Sequence, residues 1–410
     1  MQSHRLLFSN ASALLIIQIA NYILPFLLIP YLTRTLGLSV YGIIAFGLTI
    51  VQIACIITDY GFSLSATYQI AKHSGDSIAL RKIAGAVMTC KALLLIPVIV
   101  LASAFLLLQD KYSEYHLYFL LLILPIIGQT FQPIWFFQGI ERMGFITIYT
   151  ALARTLYLLM VILWVSGPDD NYMVAVANGI ANISAAVIGM GLMYRLGYWP
   201  EWCGWNYVRQ TFKDSTEYFW SRAAVATYTA GGAFFLGLVS SPIQVAYYSA
   251  AEQLYKAAQS LITPISQALY PYMVKSRNIK LLLKIIKATV LISLSGLIFG
   301  ILTGEFWLKT IFGAEYIASY STLVLFMIIF TITAPSILLG YPMLGAFGGV
   351  RIANISVIIA GLIQAILLAA CFLMKMTFAT HIAATVLIVE TIVLLIRIKK
   401  SRELITREIA

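Results

Sequence analysis

The stretch QPIWFFQGIERMGFITIYTALART, residues 132–155, decides how the chain is read. Its first part closes an apolar run with a proline, three aromatics and two amides. Gly139 breaks the pattern, Glu141 and Arg142 supply a charged turn, and an apolar run then resumes. Two long apolar runs joined by a few polar residues read as two antiparallel helices with a tight connection. Arg154 lies well inside the second run. A charge buried in hydrocarbon is costly, so an arginine at that position needs a polar surrounding or a purpose.

Outward from this stretch the same texture repeats. The chain has 410 residues, 61% hydrophobic and only 10% charged, with mean hydropathy +0.90. Soluble domains carry roughly 25% charged residues. About twelve apolar runs approach the ~20 residues that cross a bilayer core. They fall at 10–32, 40–60, 83–108, 115–138, 145–166, 173–195, 216–239, 243–273, 283–303, 318–343, 351–374 and 376–396. None alternates with period two, so the chain reads as an all-α membrane protein and not a barrel. The apolar N-terminal run is too long for the core of a cleaved signal.

The net charge of +11 follows from the placement of lysine and arginine. Segments holding Arg5, Lys72, Arg81, Lys82, Arg142, Arg195, Arg209, Lys213, Lys275, Arg277, Lys280, Lys284, Lys287, Arg351, Arg397, Lys399, Lys400, Arg402 and Arg407 alternate with connectors holding only Arg34, Lys111, Lys309 and Lys375. The positive-inside rule puts the rich set, and both termini, in the cytoplasm. No basic segment carries the interleaved aromatics of a single-strand binder, so nucleic acid is not an expected partner.

The connector Leu196–Tyr218 is the longest and divides the chain near its middle. The turn LGLSVYGIIAFG (36–47) is answered by VSSPIQVAYYSAA (239–251), and QGIERMGFITIYTA (138–151) by LGAFGGVRIANISV (344–357). The two offsets nearly coincide. We therefore expect two pseudo-symmetric six-helix bundles, 1–200 and 201–410, around a central cavity, as in repeat-built transporters.

Several charges fall inside the runs. Lys91, Arg154 and Arg222 have no partner nearby in sequence and are candidates to line a polar cavity. Glu252 and Lys256 are spaced i,i+4, so a local ion pair and a wet cavity are both open readings. Glu390, with Arg34 and Glu217, is expected to reach out to an interface. The amides Gln129, Gln132, Asn178 and Asn182 suit interhelical hydrogen bonds or a polar path. No catalytic residue and no metal site is expected. Cys55, Cys90, Cys203 and Cys371 form no ligand pair, the four histidines are scattered, and there is no G-x-x-x-x-G-K-[ST] loop.

The segment PIWFFQGIERM (133–143), with LIPYLTRTLGLSVYGIIAFG (28–47), resembles signatures of the polysaccharide transporter family, within the multidrug/oligosaccharidyl-lipid/polysaccharide flippase superfamily. The nearest resemblance is to the O-antigen flippases of Wzx type. Ala246 stands where the second-half turn would have glycine. The resemblance implies a flippase in the bacterial inner membrane. It would move undecaprenyl-pyrophosphate-linked oligosaccharide from the cytoplasmic to the periplasmic leaflet, among membrane lipids, and work beside an O-antigen polymerase and a chain-length regulator. Arg154 and Arg222, then Lys91 and Lys256, would meet the anionic head group. With no nucleotide loop and no cofactor, a proton or sodium gradient is the expected drive, with Glu252 as the ion-coupling candidate. A multidrug antiporter of the same superfamily, a polysaccharide polymerase or ligase, and a non-transporting scaffold are the competing readings. The first would favour acidic residues in its spans, the second a large outer loop, and the third would tolerate loss of the embedded charges.

Overall fold

The computed structural model describes the backbone of residues 2–107 and 109–409, and the side chains of 27–104, 109–220 and 222–406. All regular structure among the described residues is helical. The helices are α1 (Gln2–Asp59), α2 (Phe62–Lys72), α3 (Ser77–Leu107), α4 (His116–Leu121), α5 (Ile123–Phe131), α6 (Ile134–Gly139), α7 (Met143–Trp164), α8 (Asn171–Arg195), α9 (Trp205–Val239), α10 (Pro242–Ser276), α11 (Ile279–Ile311), α12 (Tyr320–Leu338), α13 (Val350–Leu373) and α14 (Ala379–Ile409).

These group into twelve arms. Gly37, at φ +78° and ψ 170°, breaks α1 into arms 2–36 and 38–59. Only glycine adopts that backbone without strain, which is why the turn of the first hairpin sits there. The second arm continues past a bend at Tyr60 and Gly61 into α2, so the run placed at 40–60 extends to Lys72. Helices α4, α5 and α6 make one arm, and α12 with a π turn at Leu339–Gly345 makes another. Ten stretches are long and apolar enough to cross a membrane, and one of them, Leu27–Lys72, covers the Gly37 bend and so holds parts of two arms. The twelfth arm, α10, falls outside that set. It carries Glu252, Lys256 and Lys275. The connector placed at 196–218 is shorter than the sequence suggests, because α9 begins at Trp205. Its polar first turns, rich in Arg, Lys, Asp and Glu, are helix that extends beyond an apolar crossing.

The chain gathers into two compact units, Met1–Leu36 with Gly47–Ala223, and Gly37–Phe46 with Ala224–Ala410. The first unit is built on the opening stretch. Trp135, Phe136 and Phe137 are all buried, packed with Phe62, Ile70, Ile83, Val87 and Tyr149. Successive rings meet edge to face, at 6.0 Å and 89° for Trp135–Phe136 and 5.7 Å and 82° for Phe136–Phe137. Such pairs contribute about 0.5–1.5 kcal/mol each beyond area burial. Small residues let the helices approach. On α8, Ala181, Ala185 and Gly189 recur every four residues and are buried. A Cβ on Gly189 would meet the Pro133 ring, and one on Gly128 of α5 would meet the backbone of α8 at Asn182. In lipid, where apolar side chains gain nothing by leaving solvent, this close packing is what holds helices together.

Each unit has two distinct ends. In the first, Arg81 donates to Gly197 O (2.8 Å) and pairs with Glu201 (3.1 Å), and Gly139 lies against Ile70. The turns after α2, α6 and α8 therefore share one end. Tyr31, on the first arm, donates to Val165 O (2.6 Å) at the other. In the second unit Ser240 donates to Thr377 O and Ala379 N donates to Gln244 Oε1 (2.8 Å), while Arg277 lies over the Phe347 ring at the opposite end.

The repeat is visible in the backbone. The bend at Gly37 is matched by the turn at Ser240 and Ser241, where Pro242 opens α10. The turn after Gly139, with Glu141 left-handed at φ +58°, is matched by the turn after Gly345, with Gly348 at φ +84°. The fourth arm of each repeat is broken before that turn. In one, α5 stops at Phe131 and Pro133 reopens the helix; in the other, Gly340 leaves helical geometry at φ −66°, ψ −114°.

Candidate functional site

The broken arms concentrate polar groups. A proline or a distorted turn removes donors from the helical ladder, and the carbonyls left over need partners. In the first unit Lys91, 3% exposed on α3, donates from Nζ to Thr130 O (3.1 Å), just before the break. The same ammonium pairs with Asp59 Oδ1 at 3.4 Å. Asp59 Oδ2 accepts from Ser63 Oγ (2.7 Å) across the Tyr60–Gly61 bend, and the hydroxyls of Thr58 and Thr130 lie 2.9 Å apart. Beyond the break Gln132 Nε2 donates to Asn182 Oδ1 (3.1 Å), and Asn182 Nδ2 donates to Asn178 Oδ1 (2.6 Å). Lys91 therefore has a partner far away in sequence, and the amides form an interhelical chain.

The second unit repeats the device with different residues. Arg397 on α14 donates from Nη1 to Ser336 O (2.7 Å) and Ser336 Oγ (3.2 Å), and from Nε to Ser356 Oγ (3.1 Å). Its guanidinium lies against Gly340, where the helix is distorted. Tyr341 in the same π turn donates to Asn354 Oδ1 (2.6 Å). Sequence reading assigns Arg397 to a cytoplasmic segment and misses this role. The available signal was helical spacing: Glu390, Arg397 and Ser401 lie at i, i+7 and i+11, on one face of α14.

Glu390 requires a correction. It does not reach an interface; it is 2% exposed and its Oε1 has no hydrogen-bond partner. The snorkelling expectation fails because this face of α14 packs inward, with Val389 and Val393 buried against Ala360, Tyr228, Ile363 and Leu367.

Glu252 and Lys256 form the local pair that their spacing allows, Oε2 to Nζ at 2.9 Å on α10. One turn away Gln259 Nε2 donates to Tyr255 Oη (3.3 Å), and Tyr255 donates to Thr333 Oγ1 on α12 (3.2 Å).

Arg154 and Arg222 stand apart from these networks. Both side chains are exposed, on α7 and α9, and no hydrogen bond or ion pair to another described residue involves them. At about 100° per residue, Arg154 shares a stripe with Thr147, Thr150 and Tyr157 at i−7, i−4 and i+3. Ile146, Tyr149, Ala153 and Met160 are buried on the adjacent face, while Ile148, Leu152, Leu159 and Ile162 form the exposed apolar face. The guanidinium therefore leaves α7 on a polar flank. Arg222 sits likewise with Tyr218 and Thr229, at i−4 and i+7.

The arrangement is therefore two packed polar seams, one per unit, plus two unengaged guanidiniums on membrane-crossing helices. Among the described residues no group of acids, histidines and cysteines could hold a metal. The polysaccharide biosynthesis protein family matches residues 7–277, well over half of the chain. The chain belongs to that family. A protein of Escherichia coli (strain K12) named "Putative O-antigen transporter" is 29% identical over 317 residues, 76% of this chain and 74% of its own. A protein of the same name from Shigella dysenteriae is 27% identical over 267 residues, 65% of this chain and 67% of its own. Among solved structures, the lipid II flippase MurJ in an inward closed conformation superposes with TM-score 0.77 at 12% identity, covering 96% of this family member and 87% of MurJ. An inward-facing multidrug transporter of the MATE family gives TM-score 0.75, also at 12% identity, with 95% of each chain covered. These relatives are transporters and flippases, not enzymes. This member of the family is a multi-pass membrane protein with the fold of that transporter superfamily.

Proposed function

We propose that this family member is a flippase for undecaprenyl-pyrophosphate-linked O-antigen units. It moves them from the cytoplasmic to the periplasmic leaflet of the bacterial inner membrane, with both of its own termini in the cytoplasm. The observation that carries the reading is the E. coli relative, whose similarity runs along three quarters of both chains. The unengaged guanidiniums of Arg154 and Arg222 support it. A pyrophosphate dianion is met by the planar fork of arginine with paired, charge-assisted hydrogen bonds. We assign these two residues the first contacts with the head group. Lys91 and Lys256, each already paired with a carboxylate, come second. A multidrug antiporter would instead need acids free to meet cationic drugs, whereas Asp59 and Glu252 are ion-paired and Glu390 is buried away from any open surface. The energy source in this reading is an ion gradient, and the O-antigen polymerase and chain-length regulator are downstream partners.

The test is deletion in the native host with two readouts, surface O-antigen and lipid-linked units accessible at the cytoplasmic leaflet. The reading expects the first to fall and the second to accumulate, both restored by the gene in trans. Unchanged surface O-antigen in the deletion strain would overturn it.

A further inference from the structure

We propose that Glu390 is a proton-binding site of the second unit, and that binding and release of this proton couple transport to the proton gradient. The inference builds on the flippase reading but rests on a different observation. Glu390 is buried in the middle of α14 and its Oε1 has no partner. On the same stretch of α14, Val389 and Val393 pack in an apolar cluster with Ala360, Ile363 and Leu367. An ionised carboxylate there is costly, with Oε1 unpartnered and only Arg397, two turns along the same helix, as a cation that acts on it, so the neutral acid fits the site better. An ionisable residue kept within a membrane helix at that cost calls for a function.

The surroundings favour a proton over a divalent cation. Calcium or magnesium would need several converging oxygens, and no group of three or more acids, histidines and cysteines stands here among the described residues. Charged and titratable groups lie on each packing element. On α14 itself His381 stands near the start and Arg397 lies two turns on from Glu390, with Lys399, Lys400, Arg402 and Glu403 further toward the basic end. Tyr341 comes from the π turn, Tyr228 from α9, Tyr320 and Arg351 from the starts of α12 and α13. From α10 come Tyr247, Tyr248, Tyr255, Tyr270 and Tyr272, the mutually paired Glu252 and Lys256, and Lys275 at its end. Among the described residues Arg397 is the one cation on the same stripe, and it is held by Ser336, just before the distorted turn, and by Ser356 of α13. Loss of the proton would place a negative charge near that guanidinium. The hydrogen bonds that fix Arg397 to the broken helix would then compete with attraction toward Glu390. Proton occupancy is thereby linked to the geometry of the break. Glu252, whose charge is already matched by Lys256, lacks this exposure to change.

The experiment uses the full chain in lipid nanodiscs, without substrate, and records infrared difference spectra as pH is raised from acid to alkaline. The expected result is a protonated-carboxyl band that persists through neutral pH in the wild type and is absent in Glu390→Gln. Glu390→Asp should keep the band at a shifted frequency, which preserves the test if the Gln variant fails to insert. Identical titrations of wild type and Glu390→Gln, or an unshifted band in Glu390→Asp, would overturn the proposal. A second arm reconstitutes the proteins with lipid-linked oligosaccharide and imposes a proton gradient. Glu390→Gln should lose the response to the gradient, and a full response would also overturn the assignment. A wild type that moves no lipid-linked oligosaccharide in any condition sinks the flippase reading, while the infrared result still decides the proton site.

Discussion

At the scale of single residues, the embedded cations divide into those already engaged and those still free. Lys91 is engaged twice, by Asp59 and by Thr130 O. Removing one member of a buried ion pair strands the other, at a cost of about 3–5 kcal/mol. Lys91→Met and Asp59→Asn should each lower the thermal midpoint of the purified protein, and the double variant should recover part of the loss. A double variant less stable than either single would show that the two side chains do not compensate one another. Arg154 and Arg222 have no such partner among the described residues, so replacing them removes charge without breaking a described network. Arg154→Ala and Arg222→Ala should each strongly reduce surface O-antigen while the protein remains in the membrane at normal abundance. Lysine at either position restores the charge but not the fork, and should rescue only in part. Normal export by both alanine variants would end their assignment to the substrate. The sequence displays Arg154 openly, because a lone arginine in an apolar run needs explaining. It hides the partnership of Lys91 with Asp59, 32 positions away, since pairing across helices leaves no periodic trace.

At the scale of elements, the outcome turns on where a helix breaks. The turn after Gly139 could be read from its glycine and charged pair, and the hairpin at Gly37 from its Leu-Gly step. The break at Gln132–Pro133 was half visible, since proline announces a lost donor but not which side chain takes the freed carbonyl. The π turn at Leu339–Gly345 was not visible, because Pro335 and Pro342 suit an ordinary kink equally well. Nor was the length of α9, whose first turns are polar and read as loop until they are seen folded. Close approach between arms offers a direct test. A Cβ on Gly42 would collide with the carbonyl of Pro242 at the start of α10, and backbone on both sides cannot move aside. Overpacking commonly costs about 1–3 kcal/mol, so Gly42→Ala should lower membrane abundance and thermal stability by an amount in or above that range. Gly144→Ala, where a Cβ meets nothing within 4 Å, should be silent. Equal behaviour of the two variants would show that the contact does not constrain the fold.

At the scale of the whole molecule, the twelve arms and the repeat were legible because they depend on run length and turn spacing, both properties of local sequence. Sidedness depends on a sum over the chain, and the packing of each unit agrees with it. In the first unit the turns bearing Lys72, Arg81, Arg142 and Arg195 meet at one end, and in the second Arg277 reaches the end that holds Phe347. Lysine and arginine gathered at cytoplasmic ends set orientation, so the connector 196–204 should face the cytoplasm. Cys203 lies in that connector, a native reporter outside the crossing segments. Burial raises its thiol above the ordinary range. The thiolate is the reactive form, so at neutral pH less of it is present than on a free cysteine, and labelling should accelerate only at higher pH. With Cys55, Cys90 and Cys371 replaced by alanine, an impermeant maleimide should modify Cys203 in inside-out vesicles and not in right-side-out cells. With Cys203 also removed, Ser74→Cys and Ser276→Cys should follow the same pattern, and Asp169→Cys and Ala314→Cys the opposite one. Raising the pH must speed Cys203 in inside-out vesicles without opening it to reagent from outside. Labelling of Cys203 from the outer face, joined by reversal of either inner reporter, would undo the twelve-arm orientation together with the leaflet direction proposed for the substrate.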